Sequence, residues 1–494
     1  MCTRSLRHLR DSLAAVAALL LSACAVGPDF LRPAAPAVDR YTSQAQVANT
    51  QTADAQAQRF SSDTVLAADW WKLFGSAQLD AAVQQALAHS PTLEASEATL
   101  RQSQDNLRAG YGVFFPQIDA GLAASRSRSA SADSGFKIPG SIFNLVTASA
   151  SIGYTLDVFG GERRMVEGLR AQTDFQHNAN IAAYLILSAN VVNTCIAHAA
   201  YTEQIRATSR LILLEQEQLD ASMAQFKAGT APYSTVLSMR SLIASSQALL
   251  APLRQKIDQS EHLLATLQGV TPSQVRLPDI ALSSLTLPTD LPVSLPADLV
   301  RQRPDILEAE AQLHVASANI GVATAALFPS FSLTGSYGTA GSSLGNLTDA
   351  GARFWSIGPS LSVPLFQGGR LWFGRKAAID ADQAAQANYR LTVLMAFAQV
   401  ADALKALEHD AEGLQAQAEA QYAAEEALHL LQANYRSGLV AYLDVLTADV
   451  QFHQTTIAYV QAVAQRYQDT VALYVALGGG WWNAGTQSAE RTVP

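Results

Sequence analysis

One thiol sits where an apolar run breaks on Gly-Pro: LLLSACAVGPDF, Leu19 to Phe30. The chemistry offered at Cys24 is covalent modification at sulfur. The chain has two other cysteines, Cys2 and Cys195. An exported chain that keeps only Cys195 beside Cys24 builds no intramolecular disulfide framework. Cys195 lies in a helical pattern and reads as a small buried apolar residue. The sequence has no Gly-x4-Gly-Lys-Ser/Thr and no His-Glu-x-x-His. Gly160-Gly161 and Gly368-Gly369 fall where strands turn into helices, and read as bend geometry rather than phosphate cradles. His453 lies on an apolar helix seam without a metal-ligand partner, and reads as a satisfied interface residue. The expectation is a protein that is not an enzyme and holds no metal or other cofactor.

The elements around Cys24 explain its position. Arg4, Arg7 and Arg10 precede an apolar run from Leu13 to Leu21. A basic start, a short apolar core and small residues before a cut site make an export signal. The core is too short to span a bilayer. The end, Leu21-Ser22-Ala23-Cys24, resembles the bacterial lipobox. That resemblance implies cleavage before Cys24, diacylglycerol on its sulfur and palmitate on the new amino group. Two lipid signals on one residue give a stable anchor, where one chain gives only marginal binding. Ala25 follows, not the Asp that usually keeps lipoproteins at the inner membrane, so the address resembles an outer-membrane one.

The formal net charge of −9 becomes −11 once Arg4, Arg7, Arg10 and Asp11 leave with the signal. That argues against nucleic acid as a partner. Charged residues make up only 15% of the chain and apolar ones 49%. No run of eighteen apolar residues follows the signal, so a membrane role requires a closed barrel or the anchor alone.

The sequence states its pattern twice. SPTLEASEATLRQSQDNLRAGYGVFFP (90–116) lies against RPDILEAEAQLHVASANIGVATAALFP (303–329) without a gap. LDVFGGERR (156–164) lies against VPLFQGGRL (363–371), and FKAGTAPYSTVL (226–237) against YRSGLVAYLDVL (435–446). The expectation is therefore an internal duplication of a module of about 200 residues. Each copy opens with a helix, about 91–114 and 305–327, ending at Phe-Pro. Two period-two segments follow, for example Trp355, Ile357 and Leu361 alternating with Ser356, Gly358 and Ser360. One face is apolar and the other small and polar, as in a barrel between lipid and water. The loops between paired strands, about 126–144 and 340–353, are rich in Ser, Gly and Asn.

Then come long helical stretches, about 160–228 and 370–437, free of proline and each about 100 Å long at 1.5 Å per residue. They stop at Gly229 and Gly438, and shorter helices return over about 232–268 and 440–477. A returning helix and a leading helix together nearly match one long helix, which suggests end-to-end stacking beside it. Val400, Leu404, Leu407, Ala411 and Leu414 step by threes and fours. So do Leu443, Leu446, Val450, His453, Ile457, Val460, Ala464, Tyr467, Val471 and Tyr474. Such a repeat packs helix against helix in a coiled coil.

The fold class expected is mainly α with β. Each chain would contribute four strands to a transmembrane β-barrel, and four long coiled-coil helical columns per chain would continue it inward; the resemblance given below implies that these columns form a periplasmic α-barrel. Four strands cannot close with satisfied edges, and orphan backbone groups in lipid cost several kcal/mol each. Two chains would give eight strands with a filled interior; three would give twelve and a lumen. The segments read as a signal peptide (1–23), a lipidated extended segment (24–68), a first repeat (69–269) with its hairpin near 117–157, a Pro-rich linker (270–298), a second repeat (299–478) with its hairpin near 330–365, and a tail (479–494).

With that layout, the sequence resembles the TolC-like outer-membrane factors, in particular the NodT-type lipoprotein branch that serves RND efflux systems. The resemblance rests on Cys24-Ala25-Val26-Gly27-Pro28-Asp29-Phe30, Trp70-Trp71-Lys72-Leu73-Phe74 and Arg303-Pro304-Asp305. It also rests on Ala325-Ala326-Leu327-Phe328-Pro329, Pro364-Leu365-Phe366-Gln367-Gly368-Gly369-Arg370 and Tyr442-Leu443-Asp444-Val445-Leu446. It implies a homotrimer with a twelve-stranded barrel in outer-membrane lipid and twelve helices across the periplasm. This would be a passive exit duct opened by a periplasmic membrane-fusion adaptor and an inner-membrane RND-type pump. The adaptor would dock at the tip turns, Gly229-Thr230 and Gly438-Leu439. Asp444 matches a gate carboxylate and Tyr435 a gate aromatic. Val440 stands where some relatives carry a basic residue, and Thr235 stands opposite Asp444 in the first copy. A type I protein-secretion duct and a non-conducting coiled-coil lipoprotein of the periplasm are the alternatives.

Overall fold

The computed structural model describes residues 25–62, 64–128, 141–275 and 279–483. The signal peptide, Cys24, loop residues 129–140 and tail residues 484–494 lie outside the described residues. The helices are α1 Ala77–His89, α2 Pro91–Gly110, α3 Gly161–Lys227, α4 Tyr233–Leu267, α5 Pro296–Gln302, α6 Pro304–Ala325, α7 Arg370–Arg436 and α8 Tyr442–Ala476. The strands are β1 Arg59–Ser61, β2 Gln117–Arg128, β3 Ile142–Leu156, β4 Asp290–Pro292, β5 Ser330–Gly341 and β6 Arg353–Ser362. The doubling is close: α3 and α7 have 67 residues each, α4 and α8 have 35 each. Pro91 and Pro304 open α2 and α6, where a missing N–H costs nothing.

The chain divides into two compact units. The first comprises Met1–Pro33, Leu100–Phe175 and Ala309–Tyr389. Its centre is an antiparallel sheet in the order β2-β3-β5-β6. The register puts Ile118 beside Ile152, Ile152 beside Gly335, and Gly335 beside Ile357. One residue along, Asp119, Ser151, Ser336 and Ser356 form the neighbouring row. Because strand side chains alternate faces, the two hairpins present one continuous apolar face and one continuous hydroxyl-rich face. Ser336 Oγ and Ser356 Oγ lie 2.8 Å apart across that polar face. The apolar face stays uncovered within the chain: Trp355 is 73% exposed and Ile357 69%. β2 and β6 each pair on one side only.

The second unit comprises Ala34–Thr99, Gln176–Glu308 and Arg390–Pro494. Trp70, Trp71 and Phe74 are buried in it, with Trp70 5.6 Å from the Tyr474 ring and Trp71 6.3 Å from that of Tyr184. Helix ends meet helix starts here, as the stacking expectation holds. A Cβ on Gly269, after α4, would lie 2.2 Å from the His89 carbonyl, just before α2. After α8, Ala476 O accepts from Arg303 Nη1 at 2.8 Å, just before α6.

Two expectations are corrected. The segments read as extended (24–68) and as a Pro-rich linker (270–298) exchange a short parallel pair, β1 with β4, Arg59 opposite Asp290. The buried Arg466 secures the first segment by donating to Gln58 Oε1 at 3.0 Å and Gln56 O at 3.3 Å. Second, the seam holds at Val400, Leu404, Leu407, Ala411 and Leu414 and at Val460, Ala464, Tyr467, Val471 and Tyr474, but not at the start of α8. There Leu443 is 68% exposed, while Val445 and Ala448 pack with Leu428, Leu431, Tyr435 and Phe452. By length and composition alone, α3 and α4 carry windows apolar enough to cross a membrane, with 50% of the α3 window and 28% of the α4 window buried inside the protein. Cys195 is buried as expected, and burial pushes its thiol up to about 12.

Candidate functional site: helix turns, anchor seat and sheet edge

The α3–α4 and α7–α8 turns are built alike. Gly229 has φ 73° and Gly438 φ 74°, the left-handed conformation glycine adopts without a Cβ penalty. Gly229 N donates to Phe226 O at 3.0 Å, and Thr230 N to Gln225 O at 2.9 Å. Gly438 N donates to Tyr435 O at 2.9 Å, and Leu439 N to Asn434 O at 2.9 Å. These bonds satisfy carbonyls that the helix ends would leave orphaned. No atom crowds a Cβ at either glycine, so φ alone imposes the residue. Thr230 is exposed, and Leu439 is 74% exposed.

Asp444 is exposed in the first turn of α8, and its Oδ2 accepts from Ala441 N at 3.0 Å. The carboxylate thus caps its own helix, where the dipole favours negative charge. The residue types around it do not announce that role, because Ala441 has no capping side chain. Tyr435 is half-buried. Its hydroxyl accepts from Gln225 Nε2 at 3.1 Å, and its ring stands 5.5 Å from Tyr442. Tyr442 donates to Gln218 Oε1 and contacts Met239 Sδ at 3.1 Å.

Sequence reasoning missed the groups beneath. Glu215 is 0% exposed and Asp449 1%. Ser246 Oγ donates to Glu215 Oε1 at 2.9 Å, while Glu215 Oε2 and Asp449 Oδ2 have no hydrogen-bond partner. Burial raises both carboxyls, and the Glu215 charge adds to the rise at Asp449, which reaches about 7. His453, expected to be satisfied, is buried with Nε2 unpartnered, and burial lowers its pKa. Asp449 adjoins Val450, which the heptad placed on the seam; the helix is rotated so that Asp449 takes the buried place.

Although Cys24 lies outside the described residues, its neighbours are seated in the first unit. Val26 N donates to Phe159 O at 3.0 Å, and the Gly27 backbone passes so close to Gly321 that a Cβ would lie 2.5 Å from its Cα. The buried Arg164 donates to Asp29 Oδ1 at 2.6 Å and Glu167 Oε2 at 2.8 Å, and both acids hold its pKa up. Phe30 stacks on His314 at 4.2 Å, and His314 Nε2 lies 2.9 Å from Glu167 Oε1. The motif Val26-Gly27-Pro28-Asp29-Phe30 is therefore a strap that fixes the chain from two residues after the thiol. Among the described residues, no three His, Cys, Asp or Glu side chains are arranged to hold a metal.

A duplicated pair of long helical hairpins, together with an open-edged sheet that is two-faced between apolar and hydroxyl side chains, defines a class of channel protein. The chain belongs to the outer membrane efflux protein family, whose model matches residues 82–270 and 295–479. It is similar to the outer membrane protein OprJ of Pseudomonas aeruginosa, at 31% identity over 94% of each chain. It is similar also to nodulation protein T of Rhizobium leguminosarum bv. viciae, at 32% identity over 95% of this chain and 93% of the relative. The solved structure of the outer-membrane channel OprN superposes with a TM-score of 0.82 at 26% identity, covering 93% of this chain and 100% of that one. The protein is an outer-membrane efflux channel that extends into the periplasm.

Proposed function

We propose that three copies of this chain close a twelve-stranded barrel and a twelve-helix α-barrel, giving the passive exit duct of a tripartite efflux system. The unpaired edges of β2 and β6 carry this reading. In lipid those edges need partners, and the aligned apolar and hydroxyl faces let neighbouring chains extend the same two-faced wall. An adaptor would meet the exposed Gly229-Thr230 and Gly438-Leu439 turns, and an inner-membrane RND-type pump would supply energy. Crosslinking in intact cells followed by copurification tests the assignment. Recovery of an RND pump and its adaptor supports efflux, and recovery of a type I secretion exporter overturns it.

The anchor belongs to the same proposal. The strap at Val26–Phe30 holds the chain beside the strand-to-helix bend at Phe159-Gly160, a position suited to lipid on Cys24. Cys24→Ala should abolish palmitate incorporation in cells; retained label defeats the anchor.

At the gate, three copies of Asp444 would face one another near the symmetry axis, where like charges favour cations. Asp444→Asn keeps an oxygen acceptor for Ala441 N and removes the charge. In planar bilayers it should lower cation selectivity, and Asp444→Ala should in addition raise conductance by loosening the turn that Tyr435 helps close. Unchanged selectivity and conductance in both variants would remove Asp444 from the gate.

A further inference from the structure

Contacts between the first-copy hairpin (α3–α4) and the second-copy hairpin (α7–α8) form a ladder behind the turns. Gln225 meets Tyr435, and Gln218 meets Tyr442. Gln225 and Gln218 are seven residues apart on α3, as Tyr442 and Asp449 are on α8, so each set shares a helix face. The next rung is Glu215 from α3 with Asp449 from α8. It differs from the other two in kind, because no hydrogen bond joins it: two carboxyls on neighbouring helices are shut off from water, and the charge of one acts on the other.

We propose that Glu215 and Asp449 are a proton-held clasp between the two hairpins: protonated, the pair lets the hairpins pack behind closed turns; ionised, it drives them apart and favours opening. Both are positioning residues, acting on the turns through the helices that carry them. The clasp rests on the duct reading only for its consequence, the opening.

The surroundings leave the proton as the compensating charge. From α4, Ser246 donates one hydrogen bond to Glu215, and Met239 presents sulfur to Tyr442. From α7, the facing polar group is the Tyr435 phenol, and from α8 the Tyr442 phenol, which burial and the nearby acids raise. His453, one turn along α8, is disfavoured as a cation by its own burial. Among the described residues, no ion pair reaches either acid. No third ligand makes a metal site of them. Two buried carboxyls, one acting on the other through its charge, cannot both ionise cheaply, and among the described residues Glu215 Oε2 and Asp449 Oδ2 are each left without a donor.

The direction follows from linkage. Both acids are raised in the packed state, Asp449 to about 7, whereas hydrated carboxyls release their protons near pH ~4. The packed state therefore holds protons that a parted state would lose. Its advantage is complete below about pH 4, falls as pH rises toward about 7, and is level beyond.

The test uses the full-length acylated protein. In planar bilayers the open fraction should rise about tenfold or more between pH 5 and pH 7.5, since each proton held across one pH unit is worth about tenfold. Asp449→Asn and Glu215→Gln, isosteric and uncharged, should each flatten that rise and keep the channel closed at both pH values. A wild-type slope retained in both variants overturns the clasp, as does a wild-type channel with no slope. Hydrogen exchange around residues 215 and 449, corrected for the intrinsic pH dependence, gives a readout without current. It should speed up at pH 7.5 in the wild type and not in Asp449→Asn, and equal corrected rates overturn the clasp. A protein that conducts at no pH yet shows this exchange difference would sink the duct and keep the clasp.

Discussion

Ile357→Arg is expected to abolish the outer-membrane assembly, while Ser356→Arg, one residue away on the same strand, is expected to leave it. The two positions lie mid-strand in β6, where side chains alternate between faces. Ile357 shares its face with Ile118 and Ile152, in the row that runs through Gly335. That face is uncovered in the chain, with Ile357 itself 69% exposed. If lipid covers it, an arginine near the bilayer midplane costs about 2–4 kcal/mol. In the proposed trimer that cost would recur in every copy. Ser356 belongs to the row of Ser151, Ser336 and Asp119, which on this reading borders water, and there a guanidinium remains hydrated. Heat-sensitive migration of the membrane fraction on a gel reads out the result. Equal loss or equal survival of the oligomer in the two variants would show that the faces do not separate lipid from water.

The contrast between those neighbours was legible in the sequence, and so was most of the scaffold, for identifiable reasons. Helix and strand impose different periods, and Gly229, Gly438, Pro91 and Pro304 mark where one element yields to the next. A chain that repeats its punctuation at a nearly constant offset shows each boundary twice. The strands could thus be placed, although their order β2-β3-β5-β6 could not, because alternation fixes faces and not neighbours. β1 and β4 escaped because three residues are too few to carry a period, and β4 lies among prolines as well. The heptad that places Val460 and Val471 correctly also points to Leu443, which is exposed. A seam shows that some helix is met at each step, and not that the partner belongs to the same chain. The candidate site was legible to a lesser degree. The two turns follow from their glycines, and Asp444 follows from a family resemblance. The hydrogen bond from Ala441 and the buried acids Glu215 and Asp449 depend on the rotation of α8, and no residue pattern fixes that angle to better than one position.

Trp70→Ala should be the most damaging substitution in the helical unit, and it tests whether the Trp70-Trp71 motif is there for packing. Trp70 is 1% exposed and contacts three rings: Trp71 at 5.9 Å, Phe74 at 6.5 Å and Tyr474 at 5.6 Å. Tyr474 lies in the last turn of α8 and is itself fully buried. Neighbouring backbone is committed as well: Phe74 O accepts from Thr286 N at 2.9 Å, and Trp71 Nε1 donates to Asp80 Oδ1 at 2.9 Å. The site therefore cannot collapse around a missing indole, and removing a large buried aromatic costs about 3–5 kcal/mol when the cavity persists. Trp372, 58% exposed, supplies the comparison, since its truncation opens no cavity. Melting followed by circular dichroism in detergent should place Trp70→Ala about 5–15 °C below the parent, with Trp372→Ala close to it. Because Trp70 braces the end of α8 remote from the α7–α8 turn, the loss should reach the proposed gate only through global stability. Gating measured well below the melting range should match the parent. Altered gating there, without a lowered midpoint, would mean that the aromatic cluster transmits a signal rather than holding a root.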